Sequence, residues 1–361
     1  MSELLVSASE HQTRVCQNLQ DLPLGRAAWS RLHKRSETRS IFLTWDWLAT
    51  WWECFGQDAE LYTIAVLRED ELVGIAPLFL RREDGKRIVE FLGTGTSDYA
   101  DFISSADDKP KVIAAVIDTL QRRRDRWDIL RFHNVPGHSS TVPLLEQHML
   151  PEGWQFAKHS VGPCTALAIE KNPIFAASCT RKRSLVRHRR YFERLAPLEW
   201  KHVLDADELT DLLPQFFEQH RDRRFMAGDR SLFDDVRNRR FHERVAHAML
   251  ESGWLRFSVL RWRDETLAFH LGFHYDRVLT LYLPSFNVDY ARFSPGEVML
   301  AKLLVDAIAT GTREIDFTLG QTPHKERFAN VVRENVRLEI RQPRAIETGT
   351  TAVPVVLPAS S

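Results

Sequence analysis

Hydrophobic and polar positions change period several times along the chain, and each change predicts an element. FLTWDWLATWWECFG carries Trp45, Trp47, Leu48, Trp51, Trp52 and Phe55 behind Thr44, which predicts an N-capped helix that is apolar on most faces. LYTIAVLR and ELVGIAPLFLRR, separated by Glu69-Asp70, and then RIVEFLG after Asp84-Gly85, predict an antiparallel meander. The Gly-bearing segment GTGTSDYADFI follows, then helix KVIAAVIDTLQRR, strand WDILRFHNV, helix VPLLEQHML and strand CTALAIE. A basic helix within SCTRKRSLVRHRRYFERL leads to a second series. There LEWKHVL reads as a strand, DELTDLLPQFFEQH and FDDVRNRRFHERVAHAML as helices, and WLRFSVLRW, TLAFHLGFHY and VLTLYL as three strands. After the loop SFNVDYARFSPG come helix EVMLAKLLVDAIATG, strand REIDF, and a helix-like or loop segment before VRLEI.

The two series divide the 361 residues into two α+β halves, since a chain of this length exceeds one core. The expected division is an N-terminal unit over 15–177, a connecting basic helix over 178–195, a C-terminal unit over 196–341, and a loose tail over 342–361; residues 1 to about 14 also read as a loose end. Lys plus Arg and Asp plus Glu both number 49, so no global field draws the chain to nucleic acid or membrane, and any anion site must be local. Cys16, Cys54, Cys164 and Cys179 form no C-x-x-C pair, so neither a zinc site nor a disulfide framework is indicated. No stretch approaches the ~20 apolar residues of a membrane span and the N-terminus has no apolar leader core, so a cytoplasmic location is expected.

The sharpest local signal is Ser294-Pro295-Gly296-Glu297, with Ser294 as N-cap, Pro295 as first helical residue and Glu297 closing a capping box. Leu300, Leu303, Leu304, Ala307 and Ile308 form the buried stripe of that helix, and Gly311 marks its stop. Its start offers backbone N–H groups and a positive dipole end to an anion such as pyrophosphate; the alternative is a capped helix with no ligand. In TLAFHLGFHY, His270 shares the face opposite the core with Ala268, Gly272 and His274, so it is a general-base candidate or a structural histidine. Asp98, Tyr99 and Asp101 follow Gly93 and Gly95, and this loop either offers carboxylates to a cationic acceptor or forms an Asx-type turn with Tyr99 as core edge. GTGTSD lacks the Lys-Ser or Lys-Thr of a Walker loop. The tryptophan-rich helix reads as core, and the run from Arg181 to Arg190 as a solvated linker or a phosphate clamp.

The order of elements resembles the GNAT fold. FLTWDWLATWWECFG with SDYADFI, then ARFSPGEVML and DFTLGQTPHKERF, resembles the CelD-like or BioF-associated GNAT family over residues 40 to 340, and more distantly the tandem Fem-type aminoacyltransferases. The resemblance implies a tandem GNAT fold of two mixed sheets flanked by helices. It implies an N-acyltransferase moving an acyl group from acetyl-CoA or another acyl-CoA to a small-molecule or sugar amine, with polysaccharide or envelope biosynthesis as the setting and no metal. Arg292, Ser294, Gly296 and Glu297 would hold the CoA phosphates, and Asp98, Tyr99 and Asp101 the acceptor. The family pattern DF-x-x-G-x-x-x-x-K matches Asp316, Phe317, Gly320 and Lys325. There the lysine contacts substrate phosphates or the reacting carbonyl, and Asp316 either orients Lys325 or caps the turn. Two other readings stay open: an aminoacyl-tRNA donor with Arg187, Arg189 and Arg190 on its phosphates, and a non-catalytic binding protein that retains the fold.

Overall fold

The computed structural model describes residues 11–22, 25–147, 153–320 and 322–342. The expected loose ends therefore fall almost wholly outside the described residues, as does the end of the helix VPLLEQHML. The first half contains strands β1 (His11–Cys16), β2 (Glu60–Leu61), β3 (Thr63–Arg68), β4 (Glu71–Ala76), β5 (Leu78–Glu83), β6 (Lys86–Phe91), β7 (Ile103–Ser104) and β8 (Ile129–Pro136). Its helices are α1 (Gly25–Arg35), α2 (Trp45–Phe55), α3 (Lys109–Arg122) and α4 (Thr141–Gln147). Strand β9 (Gln155–Ala168) leads through α5 (Pro173–Cys179) and the basic α6 (Arg183–Glu193) into the second half. There follow β10 (Leu198–His202), α7 (Ala206–Met226), α8 (Val236–Glu251), β11 (Leu255–Trp262), β12 (Glu265–Tyr275), β13 (Val278–Phe286), α9 (Pro295–Ala309), β14 (Glu314–Leu319), α10 (Pro323–Glu326) and β15 (Val331–Arg341). Among the described residues no helix is long and apolar enough to cross a membrane.

The strands form two sheets flanked by helices, only one of them mixed rather than the expected two: an antiparallel four-stranded sheet ordered β1-β3-β4-β7, and a mixed 11-stranded sheet ordered β10-β11-β12-β13-β14-β9-β15-β8-β6-β5-β2. The large sheet runs through both halves because β9 pairs with β14 on one side and β15 on the other, while β15 also pairs with β8. Each half contains a short parallel pair. Strands β6 and β8 meet from Ile88–Ile129 to Glu90–Arg131, and β13 and β14 from Val278–Glu314 to Thr280–Asp316.

Several boundaries differ from the sequence reading, each for a physical reason. ELVGIAPLFLRR is two strands in two sheets, not one, because Pro77 has no N–H for a ladder; its carbonyl instead accepts from Leu92 N. His11–Cys16, assigned in part to a loose end, pairs antiparallel with β3 over its full length. β9 and β15 extend well past CTALAIE and VRLEI because each lies against the other over residues 155–166 and 331–341.

One of the hydrophobic clusters runs through both halves. Trp47 on α2 is buried against Phe241 of α8, Phe273 of β12 and Tyr282 of β13, with ring centroids 5.1–5.5 Å apart in edge-to-face contact. Thr44 caps α2 as expected, its Oγ1 accepting from Trp47 N at 3.4 Å. The tryptophan-rich helix thus packs as interior and sets the first half against the second.

Candidate active site in the splay of the second half

Beyond Thr280 and Asp316 the two parallel strands part, and α9 covers the gap between them. Local irregularities widen it. In β12 the pairing to β13 shifts between Leu271 and Phe273. Gly272 lies at that shift, where a Cβ would come within 2.4 Å of His270 Cε1 and 2.6 Å of the Thr280 carbonyl oxygen. In β14 the pairing to β9 shifts between Asp316 and Leu319, with Thr318 left-handed at φ 61 and its N–H donating to Asp316 Oδ1 at 2.8 Å. The result is a cavity of about 490 Å³, lined on its apolar side by Leu281, Met299, Leu300 and Leu303 and on its polar side by Ser97, Asp98, Thr318 and Lys325.

The first half delivers Asp98 into this cavity on a braced loop. Trp47 Nε1 donates to Ser97 Oγ at 2.9 Å, Asn134 Nδ2 to the Ser97 carbonyl at 2.7 Å, Tyr282 OH to the Thr96 carbonyl at 2.7 Å and Asn335 Nδ2 to the Asp98 carbonyl at 2.6 Å. These donors come from α2, β8, β13 and β15, so both halves hold the loop. Gly93 turns it at φ +88, and a Cβ there would meet Ser97 Oγ.

Two acids and one base titrate against each other at the junction. Burial, and then the Asp316 charge, push the Asp98 carboxyl up to about 7, against the bonds to Thr318 and Leu319 and the pull of Lys325. Burial pushes Asp316, 6% exposed, up to about 6, although Thr318 N and Tyr99 OH (3.0 Å) both donate to it. Burial draws the Lys325 ammonium below its ordinary range while Asp98 and Asp316 hold it up. Its Nζ donates to the Leu319 carbonyl at 2.9 Å. Burial also pushes Cys164, beside Tyr99, up to about 12, so it remains a thiol. A carboxyl titrating near neutrality beside a lysine suits proton removal from an amine and stabilisation of a developing oxyanion.

Of the residues expected at the site, Asp98, Tyr99, Asp316 and Lys325 come together. Asp101 does not join them. It is fully buried and accepts from Lys109 Nζ (2.7 Å), Thr38, Ser139, Thr141 and Phe102 N, and Lys109, itself fully buried, also meets Glu37 at 2.8 Å. That network fastens the loop to α3 and α4, and its carboxylate has no capacity left for an acceptor. His270 lines the cavity but is unsuited as a base, since burial and His202 push its pKa down to about 3.

The start of α9 also differs from the expected capping box. Ser294 is left-handed at φ 55 with no side-chain cap, and its carbonyl accepts from Glu297 N at 3.0 Å. The Glu297 carboxylate turns instead to Arg327 at 3.1 Å, with His188 and His324 at 3.7 and 3.6 Å. Gly296 lines the cavity, whereas Arg292 is exposed and rests 4.5 Å over the Phe293 ring.

Sequence reasoning missed Thr318, Cys164 and Lys109; a β-branched residue gives no signal for the left-handed backbone that Thr318 adopts. It also missed a second cavity of about 450 Å³, lined by Tyr99 and Asp316 together with Arg39, His138, Arg313 and Arg333. Near neighbours in the chain face different cavities: Asp98, Phe317 and Thr318 line the first, Tyr99 and Asp316 the second.

Residues 180–326 match the family described as Acetyltransferase (GNAT) domain. No curated protein matches the chain in sequence. Among solved structures, FemX is similar at 11% identity with a TM-score of 0.65, covering 88% of this chain and 96% of that one. L-PGS from Bacillus licheniformis is similar at 12% identity with a TM-score of 0.52, covering 83% and 92%. A tandem GNAT protein from the clavulanic acid biosynthesis pathway is similar at 9% identity with a TM-score of 0.51, covering 91% and 98%. The fold is thus the GNAT fold in tandem form, with the sequence pattern of its acetyltransferase domain over residues 180–326.

Proposed function

We propose that the chain is an N-acyltransferase that moves an acyl group from acyl-CoA to an amine, with its reactive centre where Asp98 of one half meets Asp316 and Lys325 of the other. The observation that carries this reading is the placement of Asp98, on a loop that both halves brace, in the cavity that Lys325 also lines; burial pushes its carboxyl up to about 7. In the proposed step the amine nitrogen attacks the thioester carbonyl, its proton passes to Asp98, the C–S bond breaks, and CoA leaves as the thiolate. Lys325 stabilises the negative charge that develops on the carbonyl oxygen, and Tyr99 with Thr318 N keeps Asp316 in place behind it. The donor's phosphates lie at the start of α9, where Gly296 leaves the rim open: a Cβ at that position would have Phe286 as its nearest neighbour, at 3.5 Å. Arg292, Ser294 and Glu297 remain proposed contacts there, with Arg327 neutralising the Glu297 charge.

Calorimetric titration with CoA and acetyl-CoA tests the donor. Micromolar affinity is expected for the wild type and its loss for Gly296→Trp, which fills the rim. A second reading, an aminoacyl-tRNA donor, draws support from α6. Arg183, Arg187, Arg190 and Arg194 are exposed and line one groove with Arg181, whereas Arg189 pairs with Glu193 at 3.4 Å. Absence of CoA binding, together with charged-tRNA binding that weakens steeply with salt, would favour it.

A further inference from the structure

His270 is 2% exposed, yet neither ring nitrogen has a hydrogen-bond partner among the described residues. Such a group gives up its water on folding and gains nothing in return, an arrangement rare in folded chains. Its ring is nonetheless seated, because Gly272 leaves the space that any side chain would take. Pro284 of β13 is its cross-strand neighbour, and Met299 and Leu303 of α9 line the same cavity. His202 does not serve it: its Nδ1 bonds Ser258 Oγ at 2.9 Å and its Nε2 bonds Asp306 at 3.1 Å. With its pKa pushed down to about 3, the imidazole is neutral at neutral pH and offers one donor and one acceptor.

We infer that His270 recognises the donor: an uncharged hydrogen-bonding group of the bound thioester, an amide or a hydroxyl, lies against its imidazole inside the cavity. The inference rests on the acyl-CoA reading above. A neutral imidazole in an apolar wall pairs with a neutral group without burying a charge. Two parts of a thioester donor carry that chemistry, the amides of the pantetheine arm and a hydroxyl on the acyl chain itself.

The test titrates CoA, acetyl-CoA, butyryl-CoA and 3-hydroxybutyryl-CoA into the wild type, His270→Leu and His270→Gln, and records each protein's melting temperature without ligand. His270→Leu is expected to melt higher than the wild type, because an unpartnered polar group leaves the interior. It is also expected to bind about five- to tenfold more weakly wherever the bond is lost, with His270→Gln restoring part of the affinity. An equal loss for all four ligands assigns the bond to the pantetheine arm; a loss confined to 3-hydroxybutyryl-CoA assigns it to the acyl chain. If all four bind His270→Leu as they bind the wild type, the inference is overturned and the acyl-CoA reading stands. If the wild type binds none of them, the acyl-CoA reading falls and the inference with it.

Discussion

Replacing Asp98 with asparagine should stabilise the protein at alkaline pH and not at acid pH. Burial and the Asp316 charge raise this carboxyl from 3.8 to about 7, so the folded chain holds a proton there that the unfolded chain has released. Between those two values the folded state binds more protons than the unfolded one, and unfolding free energy falls as pH rises. The cost is absent below about pH 4, grows through the interval and is complete above about pH 7. At about 1.4 kcal/mol per pH unit, a rise of roughly three units amounts to about 4 kcal/mol. Lys325 loses the attraction of the Asp98 charge in the variant, which leaves a net gain of about 2–3 kcal/mol at pH 8. Urea denaturation of wild type and Asp98→Asn at pH 4.5 and pH 8 measures it directly. The expected result is a gain at pH 8 that shrinks towards zero at pH 4.5. A gain of equal size at both, or a loss at pH 8, refutes the electrostatic account. The same substitution should lower acyl transfer by about 10²–10⁴-fold if Asp98 is the base.

The buried Lys109 lies between Asp101 and Glu37, so Lys109→Met should destabilise by about 3–5 kcal/mol, read as a lower denaturation midpoint, by leaving a buried carboxylate unpaired. Gly272→Ala should cost about 1–3 kcal/mol in the same assay, because the new methyl meets the Thr280 carbonyl, which cannot swing aside. The rate of transfer at low substrate should rise with pH and level off above about pH 7 as Asp98 loses its proton. In Asp98→Asn that inflection should vanish.

Much of the architecture was readable from local pattern. The α2 helix, the β11–β13 meander and the α9 stripe each carry a period long enough to stand out, and their boundaries agree with the strands and helices observed. Asp316 and Lys325 stand out in the sequence through the resemblance to the family pattern DF-x-x-G-x-x-x-x-K, and Asp98 through its glycine-bearing loop. What stayed hidden depends on partners distant in sequence. Nothing near Asp101 reveals that Lys109, Thr38 and Thr141 would saturate it. Alternation placed His270 on the cavity side correctly, but α9 covers that face and removes the water an imidazole base needs. Ser294 has the composition of an N-cap, yet the chain enters α9 through a left-handed residue and the Glu297 side chain follows the stronger pull of Arg327.

The position of β15 has a consequence for how the protein is made. Strand β8 waits for its neighbour until Val331–Arg341 has left the ribosome, a delay of roughly 10–40 s at ordinary rates of synthesis. During that interval the first half presents an open strand edge, with β9 also lacking the same neighbour. The first half therefore cannot complete its part of the large sheet ahead of the second: the final described strand closes it, like a zip fastener drawn from the far end.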